Sequence, residues 1–291
     1  MKCRKSVGCD MQPHSCGGAG EPVLPLGGVW GFLVRGQEEV CMSFVLSSKS
    51  DGIATVRIER GKVNAFNGTV VSELQDVFRG LEADGSVRSV ILTGTGKFFS
   101  FGFDIPEFLS YSKGEFEGYL NAFTEFYRYL FRFPKPVVAA LNGHTVAGGC
   151  MMAIACDHRL MVDGKAKIAL NEIGFGSSVL AGSTAILVYC IGSKKTQEVL
   201  FSGQMYSARE ALQIGLVDEV VQEDLLEARA LEVAREYAGR DSAAFASIKD
   251  LLKGPVCEQI ALREKDSIKE FVDIWYSENT WENLQKITIK S

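Results

Sequence analysis

From Ser43 onward, short apolar runs alternate with longer stretches whose apolar residues recur every three or four positions, and the two periods predict different elements. Two β-rich runs between Ser43 and Ile58 flank Ser50-Asp51-Gly52, the pattern of a hairpin. Asn67 then precedes Val70, Val71, Leu74, Val77, Phe78 and Leu81, which predicts a capped amphipathic helix. Ser89 to Thr93 and Val137 to Leu141 read as short buried strands, the first closed by the turn Gly94-Thr95-Gly96-Lys97. Phe116 to Phe133 predicts a long aromatic-rich helix that stops before Pro134 and Pro136. Its rings, among them Phe123, Phe126, Tyr127 and Phe131, cover more than one face, so they predict core together with a pocket or subunit contact. Two further strands, His158 to Val162 and Lys165 to Leu170, follow Asp157. Ser207 with Glu210 forms a capping box for a helix from Ala208 to Ile214, and three or four amphipathic helices follow Leu225. Strand pairs alternating with helices, then a helical tail, predict an α/β fold with a helical C-terminal subdomain.

Residues 1 to 41 break the pattern: they are rich in glycine, hold Cys3, Cys9, Cys16 and Cys41, and show no sustained period. We expect an extension here, either a leader foreign to the fold or a tail without fixed structure. The cysteine spacing lacks the paired form of common zinc sites, and no metal site is expected. The other four cysteines, Cys150, Cys156, Cys190 and Cys257, lie scattered in apolar or helical stretches, the usage of buried thiols in a reducing compartment. A net charge of −5 provides no broad basic field for nucleic acid or an anionic membrane. The most apolar long window, Val137 to Cys156, contains Asn142, His144 and three glycines, which suits a buried strand-turn-helix better than lipid.

Candidate chemistry centres on that window. The run Asn142-Gly143-His144-Thr145-Val146-Ala147-Gly148-Gly149-Cys150-Met151 can present main-chain N–H groups at a helix start, where negative charge is stabilised. Further along, Leu170-Asn171-Glu172-Ile173 supplies a carboxylate able to move a proton. An anion site with one base points to enolate chemistry. His144 has no cysteine, serine or aspartate at triad spacing. Gly94-Thr95-Gly96-Lys97 lacks the rest of a phosphate-binding loop, because Ile91 and Phe98 stand where that motif needs glycine and Ser or Thr. Trp275 and Trp281 read as core or interface anchors rather than ligand platforms.

Taken together, Lys62-Val63-Asn64-Ala65-Phe66, Phe99-Ser100-Phe101-Gly102-Phe103-Asp104-Ile105, Asn142-Gly143 through Gly148-Gly149-Cys150, Cys156-Asp157, and Gly203 with Ala211 to Asp218 resemble the crotonase, or enoyl-CoA hydratase/isomerase, superfamily over Ser43 to about Gln285. The resemblance implies a crotonase-like spiral of ββα units over residues 42–222 and a helical C-terminal trimerisation subdomain over residues 223–291. A homotrimer or hexamer is implied, with an acyl-CoA substrate whose coenzyme A is the only cofactor-like group. The main-chain N–H groups of Phe103 and Gly148 are implied to hold the thioester oxygen. Glu172 is the implied base. Lys62, Ala65, Ser100, Phe101, Gly102, Asp104, Ile105 and Asn171 are implied to line the substrate, with Phe101 and Phe103 replacing smaller residues of the family pattern.

Hydratases of this superfamily carry a second glutamate directly after the cysteine of the glycine-rich run; here that position is Met151, which can neither orient nor deprotonate water. Other members place an acid about eight residues after the tetrad, where this chain has Leu180. A single base implies transfer of a proton from C2 to C4 of a 3-enoyl-CoA, the pattern of the mitochondrial-type Δ3,Δ2-enoyl-CoA isomerases. A hydratase with weakened water activation, a thioester hydrolase and a noncatalytic CoA-binding homologue remain as alternatives. Apolar neighbours Ile173, Phe175 and Leu180 are expected to raise the pKa of Glu172. The final Ile289-Lys290-Ser291 is not of the Ser-Lys-Leu type, so a peroxisomal address is unsupported; the expected location is cytoplasmic, with the mitochondrial matrix as alternative.

Overall fold

In the computed structural model of the chain, residues 43–287 are described. The expected extension over 1–41 and its cysteine cluster lie outside them. Strands β1 (Val45–Ser50) and β2 (Ile53–Ile58) pair antiparallel across Asp51 and Gly52, whose φ of 52° and 77° makes the two-residue left-handed turn that suits a twisted hairpin. Helix α1 (Gly68–Ala83) begins as predicted, with the Asn67 side chain accepting from Val70 N, and buries Val70, Val71, Leu74, Phe78 and Leu81. After it come β3 (Ser89–Gly94), β4 (Phe98–Ser100), the single turn α2 (Ile105–Phe108) and α3 (Lys113–Arg132). Helix α3 starts three residues before the predicted Phe116 because Ser112 and Glu115 form a capping box.

The next units repeat the scheme: β5 (Val137–Leu141), β6 (His144–Val146) and α4 (Gly148–Ala155), then β7 (His158–Val162), β8 (Lys167–Ala169), a 3₁₀ turn over Glu172–Phe175, and α5 (Ala181–Ser202). Strand β9 (Tyr206–Ser207), α6 (Ala208–Gln213) and β10 (Glu219–Val221) complete the sheets, and α7 (Leu226–Ala238), α8 (Ser242–Trp275) and α9 (Glu278–Leu284) form the helical tail. The pairs β3/β4, β5/β6 and β7/β8 each send their first strand to a six-stranded sheet ordered β1-β2-β3-β5-β7-β10 and their second to a four-stranded sheet ordered β4-β6-β8-β9. From β2 through β10 the larger sheet is parallel, as chain-crossing helices require. This is the spiral that the resemblance implied.

The geometry leaves α4 in the interior. All eight of its residues are buried, and it packs against α3, α5, β4 and β6. A helix apolar all round is stable only there. Gly149 lets it approach β4: a Cβ at that position would stand 2.4 Å from Ser100 O. Long α8 closes the outside of this layer by packing on α3 and α5, and α9 returns to the 3₁₀ turn that carries Glu172.

Candidate functional site

Main-chain bonding around Gly102 fixes the direction of one amide. Phe66 N donates to Gly102 O at 2.7 Å, and Asp104 N donates to Phe66 O at 2.9 Å. These are the groups flanking Phe103, so the alternation of extended backbone turns the Phe103 N–H to the opposite side. On that side stands the start of α4. Gly102, at φ +97°, comes so near that a Cβ on it would lie 2.8 Å from Gly148 N, while a Cβ on Gly148 would meet the Phe103 ring at 3.0 Å. Gly148 N is in the first helical turn, where amides have no intrahelical acceptor, and α4 has no capping side chain. Two uncapped donors therefore sit at one place on a helix N-terminus.

Ala147 sets the angle of entry. It adopts φ 48° and ψ −119°, a conformation glycine tolerates and alanine rarely adopts, costing on the order of 1–3 kcal/mol. Ala147 N donates to Ala169 O at 2.8 Å and Ala147 O accepts from Met151 N at 2.9 Å, so β8 on one side and the helix on the other hold the strained residue in place.

Beside these amides lies a cavity of about 240 Å³ lined by apolar and aromatic side chains, chiefly Phe101, Phe103, Ile105, Phe175, Phe271 and Trp275, with Val146, Ala147 and Ile287 completing the wall. Its polar lining is Asn171 and Glu172. Glu172 is 3% exposed, and neither carboxylate oxygen has a hydrogen-bond partner within the described residues. Burial pushes its pKa up to about 7, outweighing the opposing effect of its own main-chain amide. Asn171 Oδ1 and Trp275 Nε1, on the same wall, are also buried without partners among the described residues. Unpaired buried polar atoms are rare, and so many on one cavity mark it as a place where a polar ligand completes the bonding.

The structure distributes the residues singled out by sequence as follows. Phe101, Phe103, Ile105, Asn171 and Glu172 face the cavity together, and Gly102 and Gly148 form its amide corner. Ser100 is fully buried behind that corner, donating to Asn64 O at 2.7 Å and accepting from Gly102 N at 3.0 Å. Asp104 caps α2 by accepting from Glu107 N and pairs with Arg60 at 2.6 Å, so its carboxylate is engaged in the loop. Ala65 is buried with its carbonyl accepting from Arg60, and Lys62 is exposed on the same loop, neither of them on the cavity wall. Met151 is buried, with its sulfur accepting weakly from Ser183 Oγ at 3.2 Å. His144 Nδ1 accepts from Lys167 N at 3.2 Å, a structural bond between strands.

Two expectations need correction. Of the three apolar neighbours expected to raise the Glu172 pKa, Phe175 lines the cavity and Leu180 is buried outside its lining, but the 3₁₀ turn carries Ile173 outward to 49% exposure. Trp275, read as an anchor alone, packs on Phe116 at 4.6 Å and also walls the cavity together with Phe271. They come from α8, about a hundred residues beyond Glu172, and only the packing of that helix on α3 and α5 brings them in.

Comparison with known proteins places the chain in a family and supports its fold. The sequence profile of the enoyl-CoA hydratase/isomerase family matches residues 48–282. Human mitochondrial enoyl-CoA delta isomerase 1 is 28% identical over 236 residues, covering 80% of this chain and 78% of its own. The short-chain-enoyl-CoA hydratase of Clostridium acetobutylicum is 33% identical over 217 residues, covering 74% and 83%. The solved structure of human mitochondrial delta3-delta2-enoyl-CoA isomerase superposes with a TM-score of 0.77 at 27% identity, covering 83% of this chain and 95% of that one.

Proposed function

Since the chain belongs to the enoyl-CoA hydratase/isomerase family, we propose that it is the isomerase form of such an enzyme, moving the double bond of a 3-enoyl-CoA to give the 2-trans-enoyl-CoA. Glu172 takes a proton from C2. The developing negative charge on the thioester oxygen is held by the Phe103 and Gly148 N–H groups, and the protonated Glu172 returns the proton at C4. No atom of water is consumed, and no cofactor beyond the coenzyme A of the substrate takes part. A pKa near 7 suits a group that must accept and then donate the same proton at neutral pH.

The observation that carries this reading is that Glu172 is the sole ionisable side chain among the described residues lining the cavity. Hydration, the reaction in the name of the Clostridium relative, calls for a second group to hold water, and buried Met151 offers only sulfur. The loop of Lys62 and Ala65 and the turn through Ser100 and Asp104 are the proposed contacts of the coenzyme A portion. Assembly as a homotrimer or hexamer belongs to the same proposal, and exposed Phe201, Leu251 and Leu262 are apolar surface available to it. The test is incubation with trans-3-hexenoyl-CoA, following formation of the conjugated 2-enoyl thioester by absorbance. Conversion without a 3-hydroxyacyl product supports the isomerase. Hydration of a 2-enoyl thioester at a greater rate refutes it.

A further inference from the structure

Two polar ends on the wall of the Glu172 cavity have no part in the isomerase chemistry. Trp275 Nε1 and Asn171 Oδ1 are both buried there without a partner among the described residues, whereas the Phe103 and Gly148 amides serve the thioester oxygen and Glu172 the moving proton. A 3-enoyl chain that is hydrocarbon beyond its thioester offers neither of them a bond. An N–H closed off by hydrocarbon loses the water it held in the unfolded chain, so a site built this way disfavours such a substrate.

The indole is the more telling of the two. It is 1% exposed, and its nitrogen only donates, so it calls for an acceptor. The ring is tilted 37° to Phe116 at 4.6 Å and stacked at 25° on Phe271 at 5.8 Å, contacts that engage ring faces and supply no acceptor to the N–H edge. Apart from Asn171 and Glu172, the other side chains of the wall are hydrocarbon. Ring contacts lead from Phe103 through Phe108 and Phe116 to Trp275, which sets the indole at a remove from the amide corner, toward the far end of a bound chain. The cavity of about 240 Å³ has room for about eight non-hydrogen atoms at about 30 Å³ each, a water's share of the liquid. Six acyl carbons, the thioester oxygen and one further atom fill it.

We propose that the acyl chain taken by this site is short and carries a hydroxyl near its far end, which accepts from Trp275 Nε1 and donates to Asn171 Oδ1. Trp275 is then a specificity-determining residue, and the substrate class is a 3-enoyl thioester oxygenated at the end remote from the thioester. The turnover expected of it rests on the isomerase reading; the binding preference does not.

Turnover of 6-hydroxy-trans-3-hexenoyl-CoA against trans-3-hexenoyl-CoA tests it, with calorimetric binding of the saturated pair, 6-hydroxyhexanoyl-CoA and hexanoyl-CoA, alongside. In the parent, kcat/KM is expected to be at least about tenfold higher for the hydroxylated thioester, and the saturated pair is expected to show the same preference in Kd. Trp275→Phe keeps an aromatic ring and removes the N–H; both ratios should fall to within about threefold, while the pH midpoint of kcat/KM stays that of the parent. The parent ratios decide the matter should that variant not fold. Ratios near one in the parent overturn the proposal, since water then completes the bonding of Trp275. So does a preference that survives Trp275→Phe, and so does a pH midpoint displaced by about half a unit or more in that variant, which would assign the indole to Glu172. Turnover of both thioesters without preference leaves the isomerase standing and removes this proposal; turnover of neither, with the binding preference intact, does the reverse.

Discussion

Replacing Glu172 with glutamine should separate the chemistry of this residue from its burden on the fold. The carboxyl has a pKa of about 7 in the folded chain against an ordinary value of 4.5. Below the ordinary value both folded and unfolded states hold the proton, and the carboxyl adds no charge penalty. Between the two values the folded state binds more proton than the unfolded state, so stability falls as pH rises, and the loss is complete above the folded value. A shift of this size corresponds to about 3 kcal/mol, most of which develops between pH 5 and pH 8. Glutamine has nearly the same shape and no charge, so the variant escapes the loss. Urea unfolding of both proteins at the two pH values should show the glutamine variant gaining roughly 2–3 kcal/mol on the parent as pH rises, or about 5 °C or more in melting temperature. Turnover of trans-3-hexenoyl-CoA should meanwhile fall by about 10²–10⁴. A stability difference that does not change with pH would refute the desolvated carboxylate, and unchanged turnover would remove Glu172 from the reaction.

The other predictions concern its surroundings. In the parent, kcat/KM on the 3-enoyl thioester should rise with pH about a midpoint near 7, since the base acts only when deprotonated; a flat profile from pH 6 to 8 contradicts this. Gly102→Ala places a methyl 2.8 Å from Gly148 N at a backbone φ of +97°, and should lower kcat by about 10²-fold or more by blocking the amide corner. Thr280→Val removes the hydroxyl that donates to Gly176 O at 2.7 Å; a loss of about 1 kcal/mol in unfolding and a lower kcat with little change in KM are expected. Asp157→Asn strands Lys249 and Lys253 without their shared counter-charge and should destabilise the chain by about 3–5 kcal/mol, read from chemical denaturation.

What could be read from the chain before its coordinates depended on how local each cause was. Helix α1 followed from the Asn67 cap and one apolar stripe, and α4 from a glycine run that no solvent-facing helix would carry. Strands β4 and β6, three residues each, were not anticipated because they are held by pairing to each other rather than by a pattern of their own. The short β10 was missed for the same reason, its partner β7 lying far back in sequence. The start of α3 is legible in the Ser112 and Glu115 capping box, which lies ahead of the aromatic run. Within the site, Phe103, Gly148 and Glu172 stood out by motif, whereas Phe271, Trp275 and Ile287 reach the cavity only through the return of the helical tail. Ile173 misled because neighbours in sequence share a face only when the backbone form is known, and a 3₁₀ turn was not expected there.

Helix α9 closes over the turn that holds Glu172: Thr280 donates to Gly176 O, and Asn283 donates to Phe175 O, across a sequence separation of 104 and 108 residues. During synthesis the Glu172 carboxylate therefore leaves the ribosome about a hundred residues ahead of the groups that fix its turn. A nascent chain, or one cut short by premature termination before Thr280, contains Glu172 yet lacks the contacts that fasten its turn. The turn that carries Glu172 thus gains its last support only at the end of translation, and proteolytic trimming of the tail would remove that support without touching Glu172 itself.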